Sequence, residues 1–464
     1  MGAFIAIDMK SFYASVECIH RHLDPLKANL LVADASRSDQ TICLAVSPNL
    51  KAKGVPSRPR LFEAKQAIRT WERQNHQKLS YLIAVPRMAE YERISAMIYS
   101  VILRYVAPED VHVYSIDESF IDCEPYLHHY QQEADRLGQE TAHVMAIRIV
   151  RDILHTTGIT ATVGIGTNLY LAKVAMDIVA KKMPADKDGV RIAELNEDSY
   201  CYRLWSHRPL TDFWMIGPGK ARRLEKAMLF TMGDIARRSQ WDEDWFYWEF
   251  GIDGEILIDH AWGREPVRMQ DIKTYHSDSH SLSSGQVLSR PYGYTEAKIV
   301  FSEMIDGLCA DMYQKRLLSP SFSWWVSYDW TSLEVYPAYS GPVSVDFYGR
   351  LHPKHSNGTV KMRSRTNSPK LVKDALTASF DTKTDHLLLF RRLGVCANSV
   401  TRDDGVYQLD FFTDYDALNR EQKIQEALRQ IRSKYGVNAI FTAKNMLEGA
   451  TALERGTQIG GHRA

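Results

Sequence analysis

The segment VYSIDESFID, residues 113–122, alternates like a β-strand yet sets Asp117 and Glu118 side by side on apolar ground. Adjacent carboxylates repel each other, and a strand that enters a core normally avoids charge. An exposed hairpin tip is one reading of this stretch, and a chemical use for the pair is the other. Another acid stands in a similar place, because the apolar run AFIAI (3–7), a buried-strand pattern, ends directly in Asp8. If the two strands pair, three carboxylates converge on one spot.

The flanking pattern gives these acids a setting. Ser11 is placed to cap a helix through FYASVECIHRHL. Residues 90–106 carry Ile94, Ile98, Val101, Ile102 and Tyr105 at helical spacing. After the acid pair come a helix with Val144, Ile147, Val150 and Leu154 inward, a strand TATVGIG (160–166), and a helix with Leu171, Val174, Ala175, Ile178 and Val179 inward. This order predicts an α+β core, an antiparallel-type sheet with helices packed on one face. Residues 185–265 read as a small helical unit, and the polar stretch GREPVRMQDIKTYHSD reads as a linker. Beyond it, 280–402 mixes strands (SFSWWVSYDW, VSVDFYG) with helices at 295–317 and 368–378. The last part holds VYQLDFF and a helix with Ile424, Leu428, Ile431 and Tyr435 on one face.

At 464 residues the chain is expected to divide into three domains, or four small ones. Lys+Arg and Asp+Glu are both 57, so only the distribution of charge could mark a polyanion partner. Six cysteines with no CxxC and no Cys/His cluster argue against a disulfide framework and a structural zinc, and fit a reducing compartment. Asp8 and Lys10 interrupt the apolar N-terminus, Ala6 stands where a myristoylation signal needs Ser or Thr, and no run of about 18 apolar residues exists. A cytoplasmic protein without membrane attachment is expected.

Clustered carboxylates are costly unless something positive neutralises them. Hard divalent cations do so, and magnesium keeps water and substrate phosphate in its remaining positions. Two such ions about 3.5–4 Å apart clamp the attacking and leaving oxygens of a phosphoryl transfer. Zinc would call for His or Cys, and neither flanks these acids. A glycosidase-type pair would need one protonated acid and a sugar cleft that no motif announces.

IDMKSFYASVE (7–17), SIDESFID (115–122) and TVGIGTNLYLAKVAMD (162–177) resemble, in order and spacing, the three palm motifs of Y-family DNA polymerases, the UmuC/DinB-like lesion-bypass enzymes. The similarity runs clearly from residue 4 to about 265 and more loosely to the C-terminus, with features of UmuC-like proteins of Gram-positive bacteria. It implies a right-hand polymerase, acting as a monomer with two Mg²⁺ ions, primer–template DNA and dNTPs. Asp8 and Asp117 would bridge both ions with the Met9 carbonyl as a backbone ligand, and Glu118 would complete the ion that activates the primer 3′-hydroxyl. Phe12 and Tyr13 would line the nucleotide pocket, Tyr13 where the family keeps an aromatic gate against a ribose 2′-hydroxyl; helix packing is its plain alternative. Many relatives have a hydroxyl-bearing or aromatic residue where this chain has Pro48, and Arg where it has Lys51, which still offers a triphosphate a point charge. The family's other triphosphate lysine falls on Ala180 by gapless counting from Lys173, and on Lys181 or Lys182 after a one-residue shift; Lys181 is the expectation.

IGPGK (216–220) matches a helix–hairpin–helix turn, in which Ile216, Gly217, Gly219 and Lys220 would meet a duplex backbone. Alone it could be a tight turn between helices. Residues 350–373 hold seven Lys/Arg and no acid. A solvated loop is the plain reading, while the resemblance puts Lys361, Arg363 and Arg365 in the DNA-holding little finger. Gln408, Leu409, Phe411 and Phe412 of QLDFF resemble the peptide by which bacterial polymerases dock on the sliding clamp, with a little-finger strand as the alternative. The implied domains are palm (1–12 and 82–184), fingers (13–81), thumb (185–265), little finger (273–402) and a clamp-binding tail (403–464). Error-prone bypass of damaged bases in DNA repair and the SOS response follows from the family alone. The rivals are a two-metal nucleotide cyclase, which would need neither the hairpin turn nor the clamp peptide, and an inactive DNA- and clamp-binding accessory factor, against which intact Asp8, Asp117 and Glu118 speak.

Overall fold

The computed structural model describes residues 2–36, 38–275, 280–346, 348–405 and 414–464. The chain forms two compact units, residues 1–276 with 462–464, and residues 277–461.

The first unit opens with β1 (Phe4–Met9) and α1 (Phe12–His20). A small sheet of β2 (Leu30–Val32), β3 (Ala45–Val46) and β4 (Leu82–Ala84) follows, with α2 (Pro48–Ala52) and α3 (Leu61–Asn75). These pieces share a core of Leu31, Val46, Leu50, Leu61 and Ile68. Next come α4 (Met88–Ile102), β5 (Val111–Val113), β6 (Glu118–Asp122), α5 (Gln131–Leu137), α6 (Thr141–Thr157), β7 (Ala161–Gly166), α7 (Leu169–Val174) and β8 (Arg191–Leu195).

The strands form a five-stranded sheet in the order β5-β6-β1-β7-β8, with β1 antiparallel to both neighbours and β7–β8 parallel. Helices cover both faces of β1, not the one face expected. Phe4 and Ala6 pack with Leu169 and Ala172 of α7, while Ile7 and Met9 share a small cavity with Ile98 and Ile102 of α4. An unbroken apolar run marks a strand buried on both sides, and β1 has that run.

Gly164 and Gly166 let α7 lie directly on β7. A Cβ on Gly164 would fall 2.0 Å from the Ala172 carbonyl oxygen, and one on Gly166 2.3 Å from the Ala172 nitrogen. The expected single helix through Val179 does not form. After α7 the backbone widens into a π-turn at Ala175–Val179 and tightens at Ala180–Lys182. A π-turn takes one more residue than an α-turn, so everything beyond it is displaced by one position.

Helices α8 (Glu197–Leu204), α9 (Pro218–Lys226), α10 (Met232–Ser239), α11 (Glu243–Phe250) and α12 (Asp253–Ala261) bury Tyr200, Phe213, Leu224, Ile235 and Phe246 in one cluster with Tyr170 and Leu171 of α7. The expected unpatterned linker contains α13 (Met269–Thr274). Met269 is buried against Phe4 and Phe120, with Ile272 beside it, and two apolar residues three apart suffice to dock one helical turn.

The second unit comprises β9 (Ser281–Tyr292), α14 (Tyr294–Gln314), β10 (Leu317–Tyr328), α15 (Ser332–Val335), a hairpin of β11 (Val343–Val345) and β12 (Leu351–Pro353), β13 (Ser356–Thr366), α16 (Pro369–Lys383) and β14 (Phe390–Asn398). Its antiparallel sheet has the order β13-β10-β14-β9. Alternation is strict where it matters: Phe322, Trp324, Val326, Leu393 and Val395 point at Phe301 of α14 and Phe380 of α16. The basic stretch 350–373 is mostly strand and helix, not the solvated loop of its plain reading. Helix α17 (Tyr415–Tyr435) buries no residue, and Ile424 and Tyr435 are exposed. Ser368 Oγ and the Lys370 amide donate to Glu421 on α17. The C-terminal stretch docks through the buried Glu303 of α14, whose carboxylate accepts the Asn445 amide at 2.7 Å and the backbone N–H groups of Thr451 and Ala452 at 2.8 and 3.0 Å. Among the described residues no helix is long and apolar enough to cross a membrane.

Candidate active site

Antiparallel pairing of β1 and β6 puts Asp8 opposite Glu118, at the ends where both strands leave the apolar sheet. Asp117 precedes β6; its carbonyl accepts the Met9 amide at 2.9 Å and its carboxylate accepts the Ser115 hydroxyl at 2.8 Å. The π-turn brings in an acid that sequence reasoning did not assign, Asp177. Asp8, Glu118 and Asp177 each present an oxygen, and these oxygens lie within 4.8 Å of one another.

Two lysines are threaded through the acids. Lys181 Nζ lies 3.0 Å from Asp8 and 2.8 Å from Asp177. Lys173 Nζ lies 2.6 Å from Glu118 and 3.1 Å from Asp177. Burial pushes the Asp8 carboxyl up to about 6 against the pull of Lys181, with Glu118 and Asp117 adding to the rise. Burial works against both ammonium groups, yet the acids outweigh it and hold Lys173 and Lys181 above the ordinary lysine value.

A cleft of about 680 Å³ opens beside the acids. Lys10, Lys51, Arg58, Lys181 and Arg191 line it together with Asp8, Asp117 and Glu118. Burial, then Arg191 and Lys51, bring the Lys10 ammonium down to about 8, and burial also lowers Lys51. Pro48 fits as the first residue of α2, where its missing N–H costs nothing, and Lys51 on that helix donates to Ser11 Oγ at 2.9 Å. Ser11 therefore does not cap α1 with its side chain, and its backbone is left-handed at φ 48°. Phe12 and Tyr13 also line the cleft. The Tyr13 ring stacks on Tyr91 at 4.5 Å between centroids, and the Tyr91 hydroxyl donates to the fully buried Glu17 at 2.8 Å.

The other expected positions stand apart. Gly217 precedes α9, Ile216 is buried, and the space beside Gly217 and Gly219 is open to 4 Å. Lys220 is paired with Asp253 at 2.9 Å, and Arg223 with Glu249 at 2.5 Å. Lys361, Arg363 and Arg365 lie on β13 in the second unit. Gln408, Leu409, Phe411 and Phe412 lie outside the described residues.

Sequence reasoning missed Asp177, Lys173, Arg58, Lys10 and Arg191. Asp177 follows Lys173 by four residues, a pairing distance on a helix that could have been read as a signal. Arg58, in a stretch without periodicity, had none. All donors in the acid cluster are carboxylate oxygens, the set that suits a hard divalent cation.

Residues 7–177 match the sequence profile of the impB/mucB/samB family. The chain is 29% identical to UvrX of Bacillus subtilis (strain 168), a protein named for UV-damage repair, over 99% of this chain and 97% of that one. It is 28% identical to DNA polymerase IV 2 of the same organism, over 98% and 97%, and 26% identical to DNA polymerase IV 2 of Halalkalibacterium halodurans, over 98% of both. A Y-family DNA polymerase chimera of known structure superimposes with a TM-score of 0.59 at 17% identity, covering 86% of this chain and 99% of the chimera.

Proposed function

Because this chain belongs to the UmuC/DinB-like Y family of DNA polymerases, we propose that it extends a primer 3′ end on damaged as well as intact templates, in DNA repair and the SOS response. The observation that carries this is the convergence of Asp8, Asp117 and Glu118 at a cleft that Lys10, Lys51, Arg58, Lys181 and Arg191 also line. The acids, with Asp177 beside them, would hold divalent cations, read as two Mg²⁺ ions. Bound there, such ions lower the charge on the reacting phosphate and orient its oxygens. The chain's own residues do the rest. Lys51, Arg58 and Lys181 receive the triphosphate, Lys181 by exchanging Asp8 for a phosphate oxygen. Tyr13, held flat against Tyr91, blocks the space a 2′-hydroxyl would need. Positioning and charge neutralisation are then the whole of the catalysis.

In this reading the palm spans 1–12 and 82–195, since β8 pairs with β7 in its sheet and moves the expected boundary at 184. The fingers are then 13–81, the thumb 196–265 and the little finger 273–402. The separate core within 31–83 and the all-helical stretch 197–261 support the division. The open glycines before α9 would admit a duplex backbone, and QLDFF would dock on a sliding clamp. Extension of a primed template with Mg²⁺ and each dNTP, with Glu118→Ala as control and an abasic template beside the intact one, tests the assignment. Extension lost in the variant supports the metal site, and synthesis past the abasic position supports bypass. A folded wild type that binds DNA and extends nothing would move the reading to an accessory factor.

A further inference from the structure

Strands β9, β10, β13 and β14 contain no acidic residue, while Arg290, Lys361, Arg363, Arg365, Arg391 and Arg392 lie within them. On the face away from the helices stands Trp325, with Arg392 and Val287 in the next outward cross-strand row. Its neighbour Trp324 is buried and donates to Ser379 Oγ at 3.1 Å, whereas Trp325 is 41% exposed. The cross-strand row through Trp325 reads Asn357, Trp325, Gly394, Gly285. A Cβ on Gly394 would fall 2.3 Å from Trp325 Cε2 and Nε1, and one on Gly285 3.8 Å from its Cζ2. The indole therefore covers the bare backbone of Gly394 and reaches toward Gly285. The indole is seated on the sheet and remains partly open to solvent. On one side the outward positions are small or polar, Ser321, Ser323, Cys396 and Asn398, and on the other the row reads Ser327, Arg392, Val287.

We propose that Trp325 is a stacking platform for an unpaired nucleic-acid base. The glycine seat on β14 and β9 holds the ring, and Lys361 and Arg392, outward on the same face, supply the attraction for the phosphates alongside. An indole laid on a sheet with its free face outward is the geometry by which sheet surfaces hold single strands, base by base. The charge of Lys361 and Arg392 beside the ring selects a polyanion over a neutral protein surface. The inference deepens the polymerase reading by giving the second unit a contact that distinguishes bases from backbone.

The test compares the full chain's affinity for a labelled oligo-dT with that for an abasic oligomer of equal length and charge, at one salt concentration. Wild type binds the base-bearing strand more tightly. Trp325→Ala removes about 5- to 100-fold of that affinity, the span of stacking effects seen on alanine substitution, and leaves abasic binding as it was. Trp325→Phe keeps most of the preference. Gly394→Ala, which unseats the ring without deleting it, repeats the loss. Unaltered preference in Trp325→Ala overturns the proposal, and so does an equal loss on both strands. Primer extension by the same preparations separates the two readings. Normal extension with no base preference sinks the platform alone, and absent extension sinks the polymerase whatever the oligomers show.

Discussion

Lys181 divides one positive charge between two acids, and Asp177 divides its own charge between two lysines. That sharing has a consequence for metal loading. With Asp177 neutral, Lys181 and Lys173 are left wholly to Asp8 and Glu118, and a divalent cation must compete with them for the same oxygens. Asp177→Asn should raise the Mg²⁺ concentration for half-maximal extension about 5-fold, for a loss of about 1 kcal/mol of shared charge, with kcat at saturating Mg²⁺ little changed. An unaltered Mg²⁺ titration would falsify the role given to Asp177. Tyr13→Ala should admit ribonucleotides: the ratio of rNTP to dNTP kcat/KM should rise by at least tenfold, while Tyr13→Phe, which keeps the ring on Tyr91, should not change it. Asp8, Asp117 and Glu118 were legible because charge breaking an apolar strand is conspicuous. Arg58 and Arg191 were not, because nothing in their local pattern says which way a basic side chain points.

Elements place those residues, and here a sequence carries less. The two strands that juxtapose the acids could be read from alternation, but the π-turn could not, since one extra residue in a helix leaves side-chain spacing nearly unchanged. It is what turns Lys181, and not Ala180, toward Asp8. Its position depends on Gly164, where an added methyl would meet the Ala172 carbonyl at 2.0 Å and the Met176 nitrogen at 2.4 Å. Gly164→Ala should cost about 1–3 kcal/mol of stability and lower extension activity with it; a melting temperature equal to wild type would count against this account. Glu17 ties α1 to α4 in a second way. Burial raises its carboxyl, but hydrogen bonds from Arg87, Arg21 and Tyr91 outweigh that and hold it below the ordinary glutamate value. A depressed carboxyl adds stability that is complete above the unfolded-state value near 4.5 and is lost as pH falls through the folded-state one. Glu17→Gln should therefore unfold earlier than wild type at pH 7, by about 1–3 kcal/mol. The gap should close on acidification, as pH falls from 4.5 through the lower folded-state value. A gap that is constant with pH would mean that shape, not charge, holds the two helices.

For the whole molecule, zero net charge conceals an uneven distribution, and the structure says which bases are at liberty to act. On α9, Lys220 and Arg223 each face an acid at 2.9 Å and 2.5 Å. Arg365, at the end of β13, reaches Asp404 at 3.6 Å and the Thr401 hydroxyl at 3.2 Å. Lys361 points out from a strand that carries no acid of its own. A base that gives up an acid to meet a phosphate releases little net counterion charge, whereas one on an acid-free face releases nearly a full unit. The dependence of duplex affinity on salt should reflect this difference. Lys361→Ala should reduce the log–log slope by about 0.9, the share of one phosphate contact. Lys220→Ala should shift it by a small fraction of that, although the motif IGPGK marks Lys220 as plainly as any residue in the chain. Binding isotherms across a series of salt concentrations decide it. Equal changes in slope for Lys220→Ala and Lys361→Ala would mean that Asp253 lets go of its lysine without cost, and that the acid-free strands have no special claim on the phosphates.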